Sequence, residues 1–171
     1  MIPISGVRRL RITRMFRRFH MVFAISITCL PVLAAVAAQT HVSAGSVWRL
    51  NRVQSDFGGG PPMRSDEFVI LVDTATRVKW TDKMVDDKGK TWKTAFDGPV
   101  DGTMHPISGQ PGAKFSVKAA EDTNFLTTPD GTTTACTFSA SADQKKYFEK
   151  CIVSTKSGKK FKQTMVYDRI K

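Results

Sequence analysis

The sequence predicts an all-β protein: an antiparallel up-and-down meander that closes into a barrel, preceded by a signal-peptide helix. Three observations carry this expectation. No window of useful length keeps apolar residues at a sustained three-to-four spacing, so helix signals are nearly absent. Short runs rich in Thr, Val and Phe recur instead, broken by Gly, Pro and Asp pairs at the interval expected of hairpins. Two cysteines, Cys136 and Cys151, sit equidistant from the polar stretch at Asp143 and Gln144, where a hairpin turn would set them opposite each other.

The amino-terminal segment reads as an export signal. Arg8, Arg9, Arg11, Arg14, Arg17 and Arg18 precede an apolar run over residues 21–38, which ends in the small residues Ala34, Ala35, Val36, Ala37 and Ala38. A basic end that stays inside and an apolar run that enters the membrane are what export requires. A permanent span is the competing reading, since the run approaches the lower length limit for one. Pro31 and the small-residue end favour cleavage after Ala37 or Ala38. Cys29 lacks the small residue normally found before a lipidated cysteine and reads as a small hydrophobe in mid-run. Met15 and Met21 are alternative starts.

Residues 1–38 are thus expected to be a signal peptide and residues 39–171 a single β-barrel-like domain, exported to the periplasm or the medium. Loss of the six signal arginines leaves 20 basic residues against 15 acidic ones, a net charge of +5 in place of +11. The remaining domain is large enough to have its own core.

Strands are expected over residues 47–53, 67–73, 76–86, 90–97, 113–120, 123–128, 132–141, 146–155 and 161–170. Residues 55–65 read as a loop, because Gly58-Gly59-Gly60-Pro61-Pro62 cannot pair in a ladder. Asp87-Lys88-Gly89, Pro129-Asp130-Gly131 and Lys156-Ser157-Gly158 read as turns. Residues 97–112 read as irregular, holding Gly98-Pro99, His105-Pro106 and Pro111-Gly112. In the third and fourth strands Val78, Trp80 and Met84 share one face, as do Trp92, Thr94 and Phe96. Trp80, Met84, Trp92 and Phe96 can therefore pack across one hairpin. A meander of this size closes into a barrel because closure removes exposed edges.

Two cysteines in an exported domain suggest a disulfide, Cys136–Cys151, against the alternative of two buried thiols. The carboxy-terminal segment from Lys145 to Lys171 is basic, with nine Lys and Arg against Glu149 and Asp168. Lys159, Lys160 and Lys162 are the candidate face for an anionic partner, though a lysine-rich outer face also keeps strands soluble.

Two segments resemble a known family. Val47-Trp48-Arg49-Leu50-Asn51, followed by Ser55-Asp56-Phe57 and by Gly60-Pro61-Pro62, is similar to the Trp-x-Leu-Asn, Ser-x-Phe and Gly-Pro-Pro opening of a family of small uncharacterised secreted bacterial proteins. The stretch Asp97-Gly98, Asp101-Gly102 and His105-Pro106-Ile107-Ser108-Gly109-Gln110-Pro111 resembles the same family's central loop, with His105 where Tyr is usual. The Cys136/Cys151 pair is a second departure. The resemblance implies secretion and a lipocalin-like or half-open barrel, and it carries over no catalytic residue.

No catalytic or metal-binding constellation emerges. His41 and His105 are the only histidines after the signal, too few for a zinc site, and His105 reads as a loop hydrogen-bonder. There is no Gly-x-Ser-x-Gly elbow, and the adjacent acids Asp86-Asp87 and Glu121-Asp122 point to opposite sides of their strands. No enzyme activity, cofactor, metal or nucleic-acid partner is expected. Trp80, Trp92, Phe96 and Phe115 either fill a core or line a pocket. The leading expectation is a pocket with few charges inside, holding a small apolar or amphipathic ligand. The alternative is a cell-envelope interaction module that binds an anionic polymer, lipid or protein through the basic carboxy-terminal strands.

Overall fold

The structure, a computed structural model, describes residues 42–171. The expected signal peptide, residues 1–38, and His41 lie outside the described residues. The described chain is all-β, with ten antiparallel strands: β1 Val47–Leu50, β2 Met63–Asp73, β3 Arg77–Asp86, β4 Thr91–Pro99, β5 His105–Pro106, β6 Lys114–Lys118, β7 Thr123–Thr127, β8 Thr133–Ala140, β9 Lys146–Ser154 and β10 Lys160–Arg169. The sheet runs β4-β3-β2-β1-β10-β9-β8-β7-β6-β5, which is chain order wrapped into a ring. β1 pairs with β10, Trp48 opposite Arg169 and Leu50 opposite Tyr167, and so joins the two ends of the meander.

The remaining seam, between β4 and β5, has no ladder; an isolated bridge holds it at Ala95 and Ser108, and a second, Asp101 with Lys118, ties the segment after β4 to β6. Ala95 N–H donates to Ser108 O at 3.2 Å and Ser108 N–H donates to Ala95 O at 2.9 Å. The barrel is therefore nearly closed. Gly109 makes the approach possible: its φ is +85°, and a Cβ there would stand 1.8 Å from the Lys93 carbonyl oxygen. β1 is short, so the loop over residues 51–62 continues the wall beside β10. Asp56 N–H donates to Thr164 O at 2.8 Å, and Asp56 O accepts in return from Thr164 N–H at 2.7 Å. Gly58, with φ +57°, lies against the Lys162 backbone, where a Cβ would stand 1.5 Å from the carbonyl oxygen.

Several expected boundaries are corrected: β1 stops at Leu50 rather than at residue 53, where the chain turns away, and the strand expected over 113–120 ends at Lys118, with Ala119–Glu121 in a 3-10 turn. β2 begins at Met63 rather than at residue 67, because nothing after Pro62 blocks the ladder and Met63 pairs with Asp86. Residues 97–112 are not wholly irregular: β4 runs on to Pro99, and His105 and Pro106 pair with Phe115 and Lys114. The expected hairpin faces hold, with Trp80 opposite Phe96 and Met84 opposite Trp92. Asp86 N–H donates to Lys90 O across the turn at 3.0 Å.

Packing is split into two clusters. One gathers Trp48, Leu50, Ile70, Tyr147, Met165 and Tyr167 with the disulfide; the other gathers Val78, Phe96, Ile107, Ala113 and Val117. Trp80 and Phe138 pack against both. Trp48 is fully buried, and its Nε1–H donates to Ser46 Oγ at 2.8 Å, which satisfies the one polar atom of the indole.

Cys136 and Cys151 face each other on β8 and β9 and form a disulfide with Cα atoms 4.0 Å apart. The bridge spans a sequence separation of 15. Replacing both cysteines by serine is expected to lower the unfolding free energy by about 3 kcal/mol on the loop-entropy estimate, read from the urea midpoint. Gly109→Ala is expected to cost about 1–3 kcal/mol in backbone strain and to speed amide exchange at Ala95 and Ser108 more than at β9.

Candidate functional site

Period-two alternation in a closed sheet sends every second side chain inward. On β3 the inward set is Val78, Trp80, Asp82, Met84 and Asp86; on β9 it includes Tyr147, Glu149 and Val153; on β10 it is Phe161, Gln163, Met165 and Tyr167. These side chains do not fill the barrel. They line a cavity of about 970 Å³. Several lining residues at the end carrying the 51–62 loop are exposed, namely Pro61, Pro62, Pro111, Pro129 and Asp130. At the other end Val42, Ile70, Val78 and Tyr147 are buried. The cavity therefore has its mouth beside the 51–62 loop and its floor beside Val42.

Of the four aromatic residues singled out in the sequence, Trp80, Trp92 and Phe115 line this cavity and Phe96 does not. Phe96 is 2 % exposed and packs under Phe115, ring centroids 4.9 Å apart. Trp92 sits at the rim, where Lys90 Nζ lies 3.6 Å from its ring centroid. Phe68, Phe138, Tyr147, Phe161 and Tyr167 complete the aromatic lining. Trp80 and Phe115 meet edge to face at 5.2 Å, as do Phe68 and Tyr167 at 4.9 Å. Phe68, Trp80, Phe115 and Phe138 stay only half-buried although they point inward, because their free surface faces the cavity.

The expectation of few internal charges is overturned. Asp66, Asp82 and Glu149 project into the middle of the cavity from β2, β3 and β9, and Asp73, Asp86, Asp122 and Asp130 line it towards its ends. Among the described lining residues there is no Lys, Arg or His. Tyr167 Oη donates to Asp66 Oδ2 at 2.8 Å, and Thr94 Oγ1 donates to Asp82 Oδ2 at 3.3 Å. Asp66 Oδ1 and Asp82 Oδ1 are buried and have no donor from the surrounding wall.

Burial and the neighbouring Asp66 push the Asp82 carboxyl up to about 9. Burial, with Asp66 adding repulsion, raises Glu149 to about 7, against hydrogen bonds from Asn124 and Tyr147 that favour its ionised form. Burial likewise raises the phenols of Tyr147 and Tyr167.

Glu149 also lies with Cys136 and Cys151 within 4.8 Å, the one trio of ligand-type side chains that converges so closely among the described residues. The two sulfurs are joined to each other, so they offer no thiolate to a metal. His105 makes the expected side-chain hydrogen bond, but from strand β5 rather than from a loop: Thr103 Oγ1 lies 2.6 Å from its Nε2 and donates to Asp101 Oδ1 at 2.7 Å. Lys159, Lys160 and Lys162 are exposed and form no ion pair among the described residues. Lys160 and Lys162 share the outer face of β10, on the opposite side of the wall from the cavity.

Asp82 and Glu149 were missed because they read as ordinary strand positions, and Asp66 because it falls between the expected loop over 55–65 and the expected strand over 67–73. The signal was present: Asp82 shares the parity of Trp80 and Met84, Asp66 that of Phe68, and Glu149 that of Tyr147. No protein-family model matches this chain, and no curated protein matches it.

An acid whose pKa folding raises holds a proton that the unfolded chain has released, so stability falls as pH rises between the two values. Here that window runs from the ordinary carboxyl range near 4 up through about 7 for Glu149 and about 9 for Asp82. The unliganded protein is expected to lose Tm between about pH 5 and about pH 9. Asp82→Asn, which still accepts from Thr94, should flatten that fall; an unchanged slope in a pH series of melting curves would count against the assignment.

Proposed function

We propose that this protein is an exported barrel that holds a small amphipathic ligand in its central cavity. The observation that carries the reading is the half-buried state of aromatic side chains that point into the barrel. In a solid core Phe68, Trp80, Phe115 and Phe138 would be buried; here their free surface faces about 970 Å³ of space. That volume lies within the range of roughly 300–1,000 Å³ typical of small-molecule sites. Backbone hydrogen bonds and the Cys136–Cys151 bridge hold the wall without help from a filled interior.

Three features support export. The basic and apolar order of residues 8–38 suits a cleaved signal. A disulfide persists in an oxidising compartment. The segments around Trp48 and His105 resemble small secreted bacterial proteins, and that likeness points the same way. A second reading, an envelope module that binds an anionic polymer or lipid, draws on the exposed Lys159, Lys160 and Lys162.

Trp80 and Trp92 report on the cavity directly. Titration of the mature, disulfide-intact protein with decanol and with neutral apolar dyes is expected to change tryptophan emission saturably. Native mass spectrometry should show a one-to-one adduct that leaves on unfolding. If no compound of any head-group charge alters the emission or forms an adduct, the ligand-binding reading fails.

A further inference from the structure

We propose that the polar end of the ligand is a cation: an organic ammonium, primary or quaternary, met by Asp66, Asp82 and Glu149 while its apolar body lies against Phe68, Trp80 and Phe115. This rests on the ligand-binding reading above and assigns the chemical class of the ligand.

Charge is sorted by side of the wall. The outer face of β3, β4 and β10 carries Lys79, Lys83, Lys93, Lys160 and Lys162, while the lining has acids and no basic side chain among the described residues. Carboxylates taken from water without a cationic partner are strongly disfavoured in the ionised form. Asp66 is 7 % exposed and lines the cavity; its Oδ1 and the buried Oδ1 of Asp82 have no donor from the surrounding wall, and the one hydrogen bond between the two acids needs a proton on Asp82. An incoming ammonium supplies what both atoms lack, and a fatty acid head group would add a further negative charge.

The surroundings favour an organic cation over a metal ion. Asp66, Asp82 and Glu149 do not converge as a trio within 4.8 Å among the described residues, whereas a hard divalent ion gathers six or more oxygens at about 2.0–2.6 Å. Aromatic faces add attraction for an alkylammonium within about 6 Å of a ring centroid. Lys90 over Trp92 is an instance of that pairing at the rim.

Binding should also move protons. The groups facing Asp82 are Asp66 from β2, Thr94 from β4, Glu149 from β9 and Tyr167 from β10; Asp73 and Asp122 lie farther off, facing Tyr147. Without a ligand, Asp82 keeps its proton, because burial and the neighbouring Asp66 push its carboxyl up to about 9. A bound cation favours the ionised acids and expels it, so affinity rises with pH up to about 9.

The test is calorimetric titration of the mature protein with four decyl compounds that differ only at the head: trimethylammonium, primary ammonium, alcohol and carboxylate. The expected result is binding of both ammonium compounds at least about tenfold tighter than decanol, with decanoate weakest. Proton release, read from buffers of different ionisation enthalpy, should accompany the ammonium compounds only. In the Asp66→Asn/Asp82→Asn/Glu149→Gln triple variant the preference for the ammonium compounds over decanol should vanish. Equal affinity for decanol and the ammonium compounds, or a preference for decanoate, overturns the cation assignment and leaves the ligand-binding reading standing. Silence from all four overturns both. The wild-type series stands whether or not the triple variant folds.

Discussion

Pairing of β1 with β10 turns an open meander into a ring, and the rest of the structure depends on it. Hairpins alone would leave two separate sheets, β1 to β4 and β5 to β10, with β1 and β10 as open edges. Once Trp48 stands opposite Arg169 and Leu50 opposite Tyr167, one face of every strand has an interior. The register is robust because a slip by one residue would turn Trp48 outward and bring Arg49 in. The buried indole with its hydrogen bond to Ser46 and the ring contacts of Trp48 with Phe68 and Tyr147 hold that register from the inside.

Closure also decides what the alternating side chains mean. An acid on the inner parity of an open sheet would still reach water; in this ring Asp66, Asp82 and Glu149 face a confined cavity. The same alternation puts lysines on the outside of the same strands. The barrel thus keeps acids inside a basic shell, an arrangement that costs stability at neutral pH in the empty state. The proposed organic cation offsets that cost, and the aromatic lining suits the apolar part of the same molecule.

The wall is not uniformly secured. β8 and β9 are joined covalently by Cys136–Cys151 and pair along eight residues from Thr133 to Ala140. The seam at β4 and β5 has isolated bridges in place of a ladder, the one at Ala95 and Ser108 made possible by Gly109 lying against the Lys93 backbone. On the other side of β10 the 51–62 loop is pinned by Asp56 and Gly58 rather than by a full ladder. Both lighter regions adjoin the mouth, which places the compliant parts of the wall beside the way in.

Much of this was legible in the residues. Period-two alternation and turn chemistry determined the all-β class, the hairpin that sets Trp80 opposite Phe96, and the facing of Cys136 and Cys151 about the turn at residues 143 and 144, because these are local relations. The parity of Asp82, Asp66 and Glu149 was legible too, as acids among apolar neighbours. What alternation cannot encode is depth. Whether Trp80, Phe96 and Phe115 close on one another or stand apart depends on how many strands the ring contains and how it shuts. Only the tertiary structure decided that Phe96 is packed while Trp80 and Phe115 line space, that His105 and Pro106 supply a tenth strand, and that three acids from strands distant in sequence share one cavity. Those are long-range distances set by closure of the whole sheet, and no local pattern specifies them.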